Sequence, residues 1–158
     1  MSLLHYFLSP SGRISRQAFW LGLIVLMALT ILVSLLIDPS SLERGAQPNK
    51  VPQLADTLWS LAISWPSAAI SIKRFNDRDR PQWIGYLLGV LMALLVIANA
   101  FGVLLDPDTM ELPEKIAFSA LLAFFMWSLV DNGCYKGTGG PNRYGPDPLQ
   151  TPVAVQSE

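Results

Sequence analysis

Residues 73–82 hold the densest group of chemically versatile side chains in this 158-residue chain. Four cations and two carboxylates lie within eight positions: Lys73, Arg74, Asp77, Arg78, Asp79 and Arg80. Arginine presents paired N–H donors that match a phosphate, so this segment could bind an anionic group, most simply the phosphate of a phospholipid. The alternative is that these charges anchor the segment at a membrane surface and form ion pairs with the chain ends.

Asp77 and Asp79 also permit an enzymatic hypothesis. Carboxylates beside arginines can supply acid/base chemistry and charge stabilisation for a lipid or phosphorylated substrate. Two aspartates separated by one arginine are more typical of a salt-bridged loop. No residue is therefore assigned a catalytic role from the sequence.

More polar residues near the two ends of the chain are expected on the same face as residues 73–82. Arg13 and Arg16 are three positions apart ahead of Phe19 and Trp20, and a Gly- and Pro-rich segment, residues 136–148, follows the last apolar stretch. That segment lacks the spacing of a nucleotide-binding loop. The predicted site for an anion, a lipid headgroup or a protein partner consists of Arg13, Arg16, Lys73, Arg74, Asp77, Arg78, Arg80, Asn142 and Arg143.

Composition argues against several other kinds of site. His5 is the only histidine and Cys134 the only cysteine, so neither a transition-metal site nor an internal disulfide is predicted. Eleven basic and twelve acidic residues give no overall positive charge for nucleic acid binding. No cofactor is expected.

Four apolar stretches position these polar residues: 18–37, 54–72, 83–105 and about 112–130. A helix of about 20 residues spans the roughly 30 Å hydrocarbon core of a bilayer. Hydrophobic residues make up 51% of the chain, and its mean hydropathy is +0.38. We therefore predict an all-α integral membrane four-helix bundle forming one domain, residues 1–148, with a disordered tail at 149–158.

The predicted spans differ in strength, and their flanking charges predict an orientation. The second span contains Asp56, Pro66 and four serines, among them Ser60, Ser64 and Ser67, and the fourth is short enough to need residues 112–115 for full length. With four spans, alternate segments carry eight basic residues on one side and three on the other. Because basic residues near spans are retained in the cytoplasm, both termini and residues 73–82 are predicted to be cytoplasmic.

Small residues in the third span predict close helix packing. Gly85 with Gly89, and Ala98 with Gly102, have the spacing that lets helix backbones approach closely within lipid. Asn99 is the most polar residue deep in this span. It is expected to bond a neighbouring helix, although a pore or ligand contact is an alternative.

Three motifs resemble a known family. They are Gly12-Arg13 with Arg16 before Phe19-Trp20; Arg74-Phe75-Asn76-Asp77 with Arg80 to Trp83; and Gly140-Pro141-Asn142-Arg143-Tyr144-Gly145-Pro146-Asp147-Pro148. Over about residues 5–148 the chain resembles the "domain of unknown function 805" family of small bacterial inner-membrane proteins. That family usually has Arg-Arg-Leu-His-Asp in the middle motif, where this chain has Asn76 in place of the histidine. The resemblance implies a cytoplasmic-membrane location and no established reaction, cofactor or catalytic residue.

Three functional hypotheses follow from the sequence. The first is a non-enzymatic membrane module whose cationic cytoplasmic face binds anionic phospholipid or a protein partner, with a homo-oligomer also possible. The second is a small-solute transporter or an oligomeric channel, which Ser60, Ser64 and Asn99 could line. The third, less favoured, is a membrane-embedded enzyme acting on a lipid or phosphorylated substrate.

Overall fold

The computed structural model describes residues 2–37, 54–101 and 110–150. These residues form five helices: α1 (Leu3–Leu8), α2 (Arg16–Ile37), α3 (Leu54–Asp77), α4 (Trp83–Ala100) and α5 (Leu112–Cys134). The described part of the chain contains no β-strand. The predicted all-α class is confirmed to that extent, and α1 is an element that the sequence analysis did not anticipate.

Three helices are long and apolar enough to cross a membrane: α2, α4 and α5. The 22 residues of α2 rise about 33 Å at the usual helical pitch. α4 ends at Ala100. Residues 102–105, the last of the predicted span 83–105, lie outside the described residues. α5 begins with Pro113 in its first turn and a reciprocal capping pair between Glu111 and Glu114.

α3 is the central helix, which explains why it is the least apolar of the predicted spans. It packs against α1, α2, α4 and α5, and every residue from Ala68 to Asp77 is buried. The hydroxyls of Ser64, Ser67 and Ser71 donate to carbonyls about one turn earlier in the same helix. From residue 68 onward α3 is enclosed by protein, so the polar and charged residues of that half need not face lipid.

Glycines of α4 make the close approach to α3 possible. A Cβ added at Gly85 would lie 2.5 Å from Cγ1 and 3.0 Å from Cα of Ile72, and one added at Gly89 would lie 2.7 Å from Cβ of Ala68. Asn99 is half-buried. Gly102 lies outside the described residues.

We expect Gly85→Ala to lower the free energy of unfolding by about 1 kcal/mol, since part of the overlap falls on a side chain that can shift. Thermal unfolding in detergent measures the loss. A double-mutant cycle tests whether Ile72 is the residue that the added methyl group overlaps. If it is, Gly85→Ala should cost less in an Ile72→Ala background than in the wild type. Strictly additive effects would show that Ile72 is not what limits this position.

Three segments meet at one end of the helical assembly: residues 2–15, 73–83 and 135–150. α3 and α5 finish there, α2 and α4 begin there, and hydrogen bonds tie residues 2–15 and 135–150 to the end of α3. We call this region the charged end and define it as residues 2–16, 73–83 and 131–150. It contains nearly all the polar residues singled out from the sequence.

α5 is held mainly at the charged end. Residues 112–120 are exposed, whereas Ser128, Asp131, Asn132 and Gly133 are buried. Near the buried part, the Trp20 indole donates to the Gly133 carbonyl at 3.1 Å, and the Phe75 and Trp127 rings stack at 6.1 Å. These contacts fix α5 beside α2 and α3 where the polar residues lie.

Candidate functional site: the charged end

Asp77 lies at the centre of the charged end, between two buried arginines. Its Oδ1 accepts from Nε of Arg13 at 3.0 Å, and its Oδ2 accepts from Nη1 of Arg74. The side chains of Arg13, Arg74 and Asp77 are 1%, 0% and 4% exposed. Buried charges of this kind persist only when they are paired and fully hydrogen-bonded, and here one carboxylate partly balances two guanidinium groups.

Main-chain carbonyls of the tail complete the hydrogen bonding of Arg13. Its Nη1 donates to Gly140 at 2.7 Å and to Gly145 at 3.2 Å, and its Nη2 donates to Thr138 at 2.6 Å. Arg13 thereby joins the segment before α2 to residues 138–145. Its donors are all directed inward, toward protein acceptors.

Arg74 connects the end of α3 to the end of α5. Its Nε donates to the Asn132 carbonyl at 2.6 Å and its Nη2 to the Tyr135 carbonyl, while Nη1 also approaches the Ile14 carbonyl at 3.4 Å. These acceptors come from both chain ends. Arg74 therefore stabilises the interior of the protein through these hydrogen bonds.

Two asparagine amides extend the same arrangement. Nδ2 of Asn76 donates to the carbonyls of Pro10 at 3.2 Å and Gly12 at 3.0 Å. Nδ2 of Asn142 donates to the Asn76 carbonyl at 2.9 Å. Asn76, which occupies the position where the family resemblance leads us to expect histidine, serves here to hold the N-terminal segment against α3.

Lys73 is another predicted site residue that faces inward. Its ammonium group donates to the His5 and Tyr6 carbonyls and lies 5.6 Å from the centroid of the Tyr6 ring. Its side chain has no exposed surface. Lys73 thus satisfies carbonyls at α1 and is withdrawn from the protein surface.

The other loop cations are more exposed. Arg78 and Arg80 approach the buried Asp131 carboxylate at 3.3 and 3.5 Å, and their side chains are 14% and 45% exposed. Arg143 pairs with Asp79 at 2.9 Å, with the two side chains 55% and 45% exposed. Such exposed pairs contribute little to stability.

A cavity of about 270 Å³ lies between the start of α2, the end of α3 and the tail. Its lining residues are Ser15, Arg16, Arg74, Asp77, Lys136, Gly137, Thr138, Gly139, Asp147 and Leu149. Arg16 donates to the Cys134 carbonyl at 3.0 Å, and Lys136 is exposed. Hydrogen bonds from the N–H groups of Leu149 and Gly140 lower the pKa of the Asp147 carboxyl, which keeps it ionised beside the tail turn.

Several residues of this region were not predicted as site residues. The structure adds four residues to the predicted site: Asp131, Asn132, Gly137 and Thr138. At the end of the fourth apolar stretch, three polar residues recur at helical spacing: Ser128, Asp131 and Asn132. That pattern is the signal that marks one polar face. Residues 149 and 150 form a turn with Asp147, and the rest of the predicted disordered tail, 151–158, lies outside the described residues.

Comparison with known proteins identifies the family of this chain. A family model described as "Protein of unknown function (DUF805)" matches residues 7–146, which include the arginines, asparagines and glycines of the charged end. The chain belongs to the DUF805 family. The match extends through residue 146 of the tail, so this DUF805 protein shares with its family the segments that meet around Asp77.

Escherichia coli K12 relatives support a membrane location for this DUF805 protein. "Uncharacterized protein YiiR" is 27% identical over 93% of this chain and 90% of its own length. "Inner membrane protein YhaH" is 23% identical over 96% and 97%, and "Inner membrane protein YhaI" is 29% identical over 94% and 92%. No solved structure matches.

The geometry favours structural pairing over acid/base chemistry at Asp77. Both of its carboxylate oxygens accept from arginines, and its main-chain carbonyl accepts from N–H and Oγ1 of Thr138 at 2.8 and 3.0 Å. Protein donors therefore occupy both carboxylate oxygens, which is the arrangement of a structural ion pair. Within residues 2–37, 54–101 and 110–150, no three potential metal ligands come together.

Proposed function

We propose that this DUF805 protein is a non-enzymatic inner-membrane module that crosses the bilayer four times. In this proposal α3 is the fourth crossing helix, together with α2, α4 and α5. The charged end faces the cytoplasm and binds anionic phospholipid. The names of the relatives YhaH and YhaI support the inner-membrane part of the proposal.

The separation of charge along the helices is the observation that carries this proposal. Among the described residues, the charged end has eight basic side chains against four acidic ones, Asp77, Asp79, Asp131 and Asp147. The opposite end has Asp56, Glu111 and Glu114 against Lys115. Basic residues beside spans favour the cytoplasmic side, where anionic headgroups attract them.

The contacts identify which cations are available to lipid. Arg13, Lys73 and Arg74 are buried and bonded to protein acceptors, so they stabilise the charged end. Arg16, Arg80, Lys136 and Arg143 keep substantial exposure. The lipid-binding surface is therefore narrower than the nine residues that the sequence analysis grouped together.

Cys134 offers a direct test of orientation, because it is the only cysteine in the chain and is exposed at the end of α5. A membrane-impermeant maleimide should label it in inverted inner-membrane vesicles and leave it unlabelled in intact spheroplasts. Cys134→Ser supplies the background signal. Labelling in spheroplasts alone would reverse the proposed topology.

Lipid preference is tested on the purified wild-type protein by native mass spectrometry with mixed phosphatidylglycerol and phosphatidylcholine. Preferential retention of the anionic lipid is the expected result, and the preference should fall as salt concentration rises. Equal retention of both lipids would overturn the proposed function.

A further inference from the structure

We infer that the cavity between α2 and the tail is a binding site for the phosphate group of one anionic phospholipid, with Arg16 and Lys136 as its cationic ligands. This inference rests on the proposed function and assigns lipid binding to a particular place. The alternative within that function is diffuse attraction to all exposed cations of the charged end.

The cations of the cavity differ in how far protein groups neutralise them. Arg74 lies in its wall but is committed to Asp77 and to main-chain carbonyls. Among the described residues, no carboxylate lies within 4.0 Å of the cationic nitrogens of Arg16 or Lys136. These two side chains are therefore the cations of the lining that have no carboxylate partner among the described residues.

The cavity is also large enough for a phosphate. Its volume of about 270 Å³ is several times the roughly 30 Å³ that one water occupies in the liquid. Its lining includes a serine and two glycines, Ser15, Gly137 and Gly139. Arg16 is oriented by its bond to the Cys134 carbonyl. Part of the conformational entropy that its side chain would lose on binding a ligand is therefore already lost.

Asp77 and Asp147 do not cancel this positive site. Asp77 is neutralised by Arg13 and Arg74. Asp147 directs its two carboxylate oxygens toward the N–H groups of Gly140 and Leu149. An incoming phosphate would therefore meet the positive charges of Arg16 and Lys136 while the nearby acids remain engaged elsewhere.

The position of the cavity favours a lipid as the source of the phosphate. Arg16 begins α2, one of the membrane-crossing candidates, and Trp20 lies one turn further along with its ring 40% exposed. Tryptophan is enriched at the level of lipid headgroups. A phospholipid bound beside Arg16 would have its phosphate near the level of the lipid headgroups. Its acyl chains would lie along the exposed apolar surface of α2.

Lys136→Gln tests the assignment without touching the buried contacts. We expect about a fivefold loss in the ratio of bound phosphatidylglycerol to phosphatidylcholine, and a similar further loss when Arg16→Gln is added. Lys115→Gln at the opposite end is the matched control and should keep the wild-type ratio. Arg143→Gln removes another exposed cation of the charged end, outside the cavity, and should lower the ratio clearly less than Lys136→Gln does.

The possible outcomes separate this inference from the proposed function. If wild type prefers the anionic lipid and Arg143→Gln lowers the ratio as much as Lys136→Gln, the cavity assignment is wrong and diffuse attraction is right. If wild type shows no preference, the proposed function itself fails. In a further arm with inorganic phosphate, displacement of bound lipid at equimolar concentration would assign the cavity to the free ion and overturn the lipid source.

Discussion

Asp77→Asn is expected to lower the free energy of unfolding by about 3–5 kcal/mol, because it leaves two buried guanidinium groups without their shared counter-charge. The amide of asparagine would also direct N–H donors toward one of these cations. A loss of this size is a large part of the stability of a typical small protein. Chemical or thermal unfolding in detergent, monitored by tryptophan fluorescence, measures it.

Asp79→Asn is the matched control for that experiment. It makes the same chemical change two residues away, where the carboxylate is 45% exposed and its partner Arg143 is 55% exposed. The expected cost is below about 1 kcal/mol. Similar costs for the two variants would show that the Arg13, Arg74 and Asp77 contacts do not stabilise the protein as the structure indicates.

Gly137→Ala is expected to detach the tail from the end of α3. A Cβ at this position would lie 2.5 Å from Cγ of Asp77 and overlap its carboxylate, and that carboxylate cannot move freely because two arginines hold it. We expect a cost near 3 kcal/mol, the upper part of the usual range for overpacking. Hydrogen–deuterium exchange should rise sharply at Thr138, whose N–H bonds the Asp77 carbonyl at 2.8 Å.

Gly139→Ala separates this effect from a general effect of alanine in the tail. A Cβ at Gly139 has no neighbour within 4 Å, so exchange at Thr138 should remain as in the wild type. Protection at Thr138 that survives Gly137→Ala would mean that the tail can accommodate the extra carbon without leaving Asp77.

The apolar helices could be predicted from the sequence because their signal is local. The stretch 18–37 became α2, Arg16–Ile37, since uninterrupted apolar residues of the right length have few alternatives in a membrane. α3 shows the limit of such reasoning. Its predicted span stopped at residue 72 because charges follow, yet the helix continues to Asp77, since partners 58 to 68 residues away satisfy those charges.

The candidate site was harder to predict for a different reason. Residue type indicated that Arg13 and Arg74 could bind an anion, but most of their acceptors are main-chain carbonyls of Asn132, Tyr135, Thr138 and Gly140. Every residue type has a carbonyl, so sequence carries no mark of which ones will be used. Which arginines remain for a ligand depends on how the tail folds back, and only the three-dimensional arrangement gives that.

The bonds of Arg13 also imply an order of events during synthesis. Arg13 leaves the ribosome well before its acceptors Thr138, Gly140 and Gly145, which follow 125, 127 and 132 residues later. A nascent chain that has inserted its early helices still has an arginine awaiting these carbonyls. Synthesis of residues 138–145, more than the insertion of any single helix, is therefore the step that lets Arg13 join the segment before α2 to the tail.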